Sequence, residues 1–136
     1  MEVKYPDMRT RLAGNLQDLS NPLLQWRCWI DRQDYPGFPG LVFSHSETIN
    51  TFFDFVPYGD LDECVEKMLG VTLKTQEEVQ TIKVLANALH AVINATGKMA
   101  SDRETITHSL WTDVIAAARE ALDAFTRAEY GYPVKR

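Results

Sequence analysis

Few cysteines and no surplus of basic charge mark this 136-residue chain. Its two cysteines, Cys28 and Cys64, lie far apart and form no Cys-x-x-Cys pair, so neither a zinc site nor a disulfide framework is indicated. Fourteen basic against nineteen acidic side chains give a net charge of −5. This balance disfavours a nucleic-acid partner, because affinity for phosphates depends on lysine and arginine.

Long apolar segments and catalytic motifs are missing as well. The first residues lack the basic start and apolar run of a secretory signal, and no window reaches the length of a membrane span, so we expect a cytoplasmic protein with no membrane partner. None of the histidines His45, His90 and His108 has metal-site spacing, and there is no GxSxG or glycine-rich phosphate loop. The sequence therefore predicts no metal, no cofactor and no catalytic residue, and it favours a non-enzymatic protein.

What the sequence does contain is helical periodicity. Over residues 75–97 apolar side chains recur every three or four positions, Thr75 with Glu78 forms a capping box, and Gly97 can end the helix. A second apolar stripe runs through 109–131. Further helical segments are predicted to begin near Pro6, Pro22, Ser44, Asp60 and Ser101, and the last three are predicted to begin with capping boxes, Ser44 with Glu47, Asp60 with Glu63 and Ser101 with Glu104. We predict an all-α fold, a single compact domain of five to seven helices over residues 1–136.

The segment QWRCWIDRQDYPGFPGL, residues 25–41, joins a helix to a loop rich in proline, glycine and aromatic residues. On a helix that begins at Pro22, Trp26 shares one face with Leu23 and Ile30, so we expect Trp26 to be buried. Trp29 falls at the edge of this face, and the pattern leaves its burial open. Exposed aromatic and arginine side chains typify binding hot spots, and the candidates here are Arg27, Trp29, Arg32, Tyr35 and Phe38. The alternative is that these residues form a cover over the core.

A second candidate surface is the acidic segment DLDECVE, residues 60–66. Carboxylates concentrated in this way can raise the association rate with a basic partner. A charge run can equally be a solvated helix face. The residues that would act on a partner are Asp60, Asp62, Glu63 and Glu66.

Four segments carry a resemblance over most of the chain from Leu16 to Leu122. They read LQDLSNPLLQWRCWIDRQ, TFFDF, MLGVTLKTQEE and SDRETITHSLWTDVIAAAREAL. In these segments the chain resembles a family of small uncharacterised bacterial all-α proteins known chiefly from actinobacteria. The family has no established activity, so the resemblance implies no catalytic residue. By analogy of class, it implies a small acidic immunity protein that binds and neutralises a toxin.

Three functions are compatible with these features. The first is a protein-binding domain, an immunity protein of a basic toxin, present as a monomer or weak homodimer. The second is a small-ligand-binding protein or enzyme with a pocket lined by Trp26, Trp29, Phe52 and Phe53. The third is a structural module that self-associates through Ala117, Ala118 and Ala121.

Overall fold

The computed structural model describes residues 2–56 and 61–131, apart from the side chains of Leu61 and Asp62. Within these ranges the helices are α1 (Pro6–Leu19), α2 (Pro22–Gln25), α3 (His45–Phe55), α4 (Leu61–Glu66), α5 (Gln76–Thr96), α6 (Asp102–Ile106) and α7 (Trp111–Tyr130). Helix α2 continues directly into a π-helical turn over Trp26–Ile30. The described ranges contain no strand, only a bridge between Leu69 and Leu73. The prediction of an all-α domain with five to seven helices is confirmed.

The core lies where the two long helices, α5 and α7, pack against each other and α1 packs against α7. Helix α3 covers another side of α1. The predicted stripes supply the buried side chains: Val79, Ile82, Leu85, Leu89 and Val92 from α5, and Val114, Ala117, Ala118, Ala121 and Phe125 from α7. Because the three alanines are buried within one copy of the chain, their stripe is not available for self-association.

Side-chain caps begin α5 and α6 at the predicted residues, but only the capping box of α6 is complete. Ser101 and Glu104 form a complete capping box, in which each side-chain oxygen accepts the backbone N–H of the other residue at 3.1 Å. Thr75 caps α5 by accepting the Glu78 N–H at 3.1 Å, but the Glu78 carboxylate does not return to Thr75. The predicted cap at Asp60 lies outside the described residues.

A buried ion pair joins α1 to α5 and explains where the Glu78 carboxylate goes. Arg9 is almost fully buried and Glu78 completely so, and the guanidinium donates to both carboxylate oxygens at 2.7 Å. Arg9 also donates to the Thr72 carbonyl at 3.1 Å and to Glu129 of α7 at 2.9 Å, and it lies 4.3 Å above the Phe125 ring. Burial lowers the pKa of Arg9, but the hydrogen bonds and charges of Glu78 and Glu129 outweigh burial and raise it, so the guanidinium stays charged.

We predict that Arg9→Met lowers the free energy of unfolding by about 3–5 kcal/mol, because it leaves the Glu78 carboxylate buried without its partner. Arg9→Met combined with Glu78→Met removes both charges and should recover part of this loss. Urea denaturation followed by circular dichroism measures both effects. The matched control is Arg11→Met, at an exposed arginine of the same helix. Its effect on the free energy of unfolding should stay within about 0.5 kcal/mol. Equal effects of the Arg9 and Arg11 variants would show that the ion pair does not anchor α1.

Candidate functional site

The buried face of the helix that starts with α2 is not the predicted one. Gln25, Cys28 and Trp29 are buried, with Trp29 only 3% exposed. Trp26 is 39% exposed, and Leu23 projects almost fully into solvent. The prediction that Trp26 is buried is therefore wrong. Trp29, whose burial the pattern left open, belongs to the core.

Gln25 determines which face is buried. Its amide donates to the main-chain oxygens of Asp18 and Leu19 at 3.0 Å each, which satisfies carbonyls at the end of α1. Its side-chain oxygen accepts the indole N–H of Trp111 at 2.8 Å. Trp29 then packs edge-on against Trp111, with ring centroids 5.9 Å apart. Apolar periodicity cannot identify a buried glutamine, so the predicted face was one residue out of register.

The predicted aromatic–arginine cluster is divided. Arg27 and Arg32 are exposed, and Arg32 has a backbone φ of 58° just after the π-helical turn. The cation that covers the Trp26 ring is Arg103 of α6, at 5.3 Å from the ring centroid. Trp29 lies in the core and is not available to a partner. The two remaining predicted residues, Tyr35 and Phe38, lie in a separate groove.

This groove, called the α1 groove below, lies between α1 and the loop over residues 35–43, and its volume is about 340 Å³. The loop wall is apolar and consists of Tyr35, Phe38, Leu41 and Phe43. Phe38 is 57% exposed and Leu41 is exposed at its rim. The floor and far side come from α1 and α3: Arg11, Gly14, Asn15, Asp18, Thr48 and Thr51.

The loop wall is held by its own hydrogen bonds. The N–H of Tyr35 donates to the carbonyl of Leu41 at 2.7 Å, and Phe38 and Leu41 donate to the carbonyls of Tyr35 and Phe38 at 2.9 and 3.0 Å. Gly37 and Gly40, with φ of 84° and 83°, allow the chain to reverse here, since other residues rarely adopt this conformation. The Tyr35 ring packs edge-on against Phe43 and tilted against Phe38. The wall is therefore formed before any partner arrives.

One hydrogen bond fixes this wall to α1. The Tyr35 hydroxyl donates to the Asp18 carboxylate at 2.7 Å. Burial raises the pKa of Asp18, although the hydrogen bond from Tyr35 opposes that rise. Burial and the bond to Asp18 together raise the pKa of Tyr35 to about 12. The hydroxyl thus keeps its proton at neutral pH and remains a donor.

Gly14 is a feature of the floor that sequence reasoning missed. It lies inside α1, where glycine is less favourable than alanine by about 1 kcal/mol. A Cβ atom added at Gly14 would meet no atom of another element within 4 Å, so packing against the rest of the chain does not require glycine there. The open space lies in the α1 groove, and the missing side chain deepens it. The sequence signal that could have drawn attention to this face is a glycine in the interior of a predicted helix, where alanine would be more stable.

The acidic segment is less available than its sequence suggested. Asp60 and the side chain of Asp62 lie outside the described residues. Glu63 is exposed and lies 3.2 Å from Lys67 one turn later. Glu66 accepts hydrogen bonds from Lys83 at 2.8 Å and from Gln76 at 3.2 Å, and these bonds lower the pKa of Glu66. The charge of Glu66 is therefore partly compensated by Lys83 of the same chain and is less available to a partner.

The aromatic residues of the second hypothesis do not line one opening. Phe52 has no exposed surface and packs edge-on against Phe53, with ring centroids 5.1 Å apart. Trp29 is in the core and Trp26 is on the surface. An aromatic pocket made by these four side chains is therefore absent from the described part of the chain.

A comparison with protein families gives a match over most of the chain. The family model described as a domain of unknown function (DUF7945) matches residues 3–131. No curated protein and no solved structure shows significant similarity to the chain. Across the described ranges, every helix is too short or too polar to cross a bilayer.

We predict that alkaline pH destabilises the fold through Tyr35. A tyrosine with a raised pKa in the folded state stabilises it fully below the unfolded pKa of about 10. That contribution is lost as pH rises towards the folded value of about 12. The loss of unfolding free energy over this range should therefore be steeper in the wild type than in Tyr35→Phe. Tyr130→Phe, at an exposed tyrosine, is the control and should retain the wild-type slope. Identical slopes in all three proteins would contradict the assignment.

Proposed function

The chain belongs to this family of unknown function, and we propose that it is a protein-binding domain whose contact surface is the α1 groove. The observation that carries this proposal is the exposed apolar wall at Phe38 and Leu41 beside the open floor at Gly14. Clustered exposed apolar side chains around a concave site are typical of protein-binding surfaces. An aromatic side chain held in place before binding loses little entropy when a partner docks.

The groove suits an apolar side chain presented by a protein rather than a buried small molecule. Phe38 and Leu41 at its rim are exposed to solvent, and its lining surface is mainly carbon on the loop side. Gly14 allows the backbone or a side chain of the partner to approach α1 closely, because no Cβ stands in the way. Asp18 already accepts a hydrogen bond from Tyr35, so its carboxylate holds the loop wall in place and is not assigned to the partner.

The charge of the chain favours a basic partner. The net charge is −5, and the exposed carboxylates of Asp34 and Glu47 adjoin the groove in sequence, one beside Tyr35 and the other one turn before Thr51. Opposite charge increases the association rate of such a pair and weakens with added salt. Arg11 contributes one positive charge on the α1 side, where an acidic or carbonyl group of the partner would fit.

We propose that the basic partner is a toxin and that the protein is its immunity protein in the bacterial cytoplasm. Support comes from the acidic balance, the preformed apolar groove and an analogy of class: the chain resembles a family of small bacterial proteins without an established activity, and small acidic bacterial domains of this size often serve as immunity proteins. Neutralising a toxin requires only that the protein binds it at the α1 groove, because an inhibitor acts by occupying its target.

We predict that Phe38→Ala and Gly14→Ala both weaken partner binding about tenfold or more, since one removes the apolar anchor and the other fills the floor. Gly14→Ala should at the same time raise the free energy of unfolding by about 1 kcal/mol. The full chain, immobilised, is used to capture proteins from the native organism at low salt, and the captured protein is then titrated against each variant. Leu23→Ala, at an exposed apolar residue outside the groove, is the matched control and should bind like the wild type.

Different outcomes test the binding site and the identity of the partner as a toxin. If the captured protein binds the groove variants as tightly as the wild type, or no protein is captured, the groove is not a protein-binding site. If binding depends on the groove and falls with salt, the partner is expressed alone and with the domain. Growth arrest relieved by the wild type, but not by Phe38→Ala, supports a toxin. A partner that does not impair growth removes the immunity assignment and leaves the binding function in place.

A further inference from the structure

A second cavity, of about 360 Å³, lies between α3, α5 and α6 and shares no lining residue with the α1 groove. Its apolar side is formed by Ile49, Val92 and Ile93. Its polar side includes His45, Ser46 and Asn50, all from α3. Thr96, Lys98 and Thr105 add further polar groups from the end of α5, the segment after it and α6. A cavity of this size that combines apolar and polar side chains is typical of small-molecule sites.

His45 is held in one tautomer at the edge of this cavity. It is buried, and its ring Nδ1 lies 2.5 Å from Oδ1 of Asp102. The same carboxylate oxygen accepts the backbone N–H of His45 at 2.7 Å. Because an ionised carboxylate only accepts hydrogen bonds, the neutral imidazole carries its proton on Nδ1. The lone pair on Nε2 is therefore available to act as a base.

Ser46 occupies the position that this base would serve. Its Oγ lies 3.3 Å from Nε2 of His45, within the somewhat long range common for such pairs without substrate. Asn50 follows Ser46 by one helical turn, so the two side chains share a face of α3, and both line the cavity. Within the described residues no hydrogen bond engages the Asn50 side chain, so its amide can donate to a ligand.

The chain contains an internal comparison, since His108 and Ser109 repeat the same dipeptide. There, Nδ1 of His108 accepts the backbone N–H of Leu110 at 3.1 Å. A neutral His108 therefore carries its proton on Nε2, the opposite tautomer, and cannot accept a proton at that atom. The geometry at His45 is thus a property of its partner Asp102 and not of the dipeptide.

We propose that Ser46, His45 and Asp102 form an acyl-transfer site that hydrolyses small carboxylic esters bound in this cavity. Ser46 is the nucleophile, His45 the general base and Asp102 the positioning residue that fixes the tautomer. The Asn50 amide donates to the oxyanion that develops on the ester carbonyl. Ile49, Val92 and Ile93 accept a short apolar acyl chain. This site is independent of the proposed binding function, because the two surfaces are separate.

The reaction balances with water as the only other reactant. Oγ of Ser46 bonds to the carbonyl carbon while its proton passes to Nε2 of His45. The bond from that carbon to the alkoxy oxygen breaks, and the departing alcohol takes the proton from His45. Water then attacks the acyl group and gives a proton to His45. The bond to Oγ breaks, Ser46 regains its proton, and a carboxylic acid leaves.

The test uses the full chain with two probes, an alkyl phosphonofluoridate and p-nitrophenyl butyrate. The first should form a bond between phosphorus and Oγ with loss of fluoride, and peptide mass spectrometry should locate it at Ser46. The wild type should release p-nitrophenol from the second. Ser46→Ala should abolish labelling and lower kcat about 100-fold. Ser109→Ala, in the comparison dipeptide, should change neither.

Substitutions of Asp102 and Asn50 distinguish a role in the reaction from a purely structural role. Asp102→Asn should lower kcat at least about 100-fold with little change in KM, because the tautomer is lost while the cavity remains. Asn50→Ala, which leaves the contact between α3 and α6 intact, should lower kcat at least about tenfold. Circular dichroism confirms that each variant is folded.

Two results would overturn the proposal. One is the absence of labelling at Ser46 under conditions that label a reference serine esterase. The other is labelling or ester cleavage that persists at the wild-type rate in folded Asp102→Asn or Asn50→Ala protein, since Ser46 would then react only as an exposed hydroxyl.

Discussion

The bidentate pair between Arg9 and Glu78 is the constraint on which the arrangement of the long helices depends. It removes two charges from water, and the carboxylate also accepts the backbone N–H of Lys74 at 2.7 Å. Lys74 in turn lies 2.8 Å from Glu129, which Arg9 also contacts. The network thus connects α1 to the start of α5 and the end of α7. A buried pair of this kind adds little net stability but penalises any other register strongly, because displacement would leave a charge unpaired.

With α1 fixed in this register, both candidate sites follow from neighbouring elements. The outer side of α1 presents Gly14 and Asp18, and Asp18 receives the Tyr35 hydroxyl that seats the loop. Helix α3 then contributes to two surfaces, with Thr48 and Thr51 beside the α1 groove and Ser46 beside the second cavity. Each site uses side chains that are oriented by contacts within the fold, so neither needs a partner to assemble it.

Local signals in the sequence predicted the helices well, while long-range polar pairs escaped them. The box at Ser101 and Glu104 and the stripes of α5 and α7 depend on near neighbours, and the structure confirms them. The face of α2 was wrong because Gln25 is buried by partners on α1 and α7, and apolar spacing carries no information about them. The same holds for His45 and Asp102, which lie 57 positions apart. Tyr35 and Phe38 were predicted as binding residues from composition alone, whereas the groove that they line depends on the loop hydrogen bonds.

The sequence distances within the Arg9 network have a consequence for the order in which the chain folds. Glu78 and Glu129 follow Arg9 by 69 and 120 positions, whereas contacts within helical proteins are mostly local. Helix α1 is synthesised before α5 and α7, and Arg9 can acquire its two carboxylates only after both of these helices have been made. Domains fold largely as units under such circumstances. Helix α1 therefore cannot complete its polar contacts until the two long helices that follow it are present, so the fold closes only when most of the domain has been synthesised.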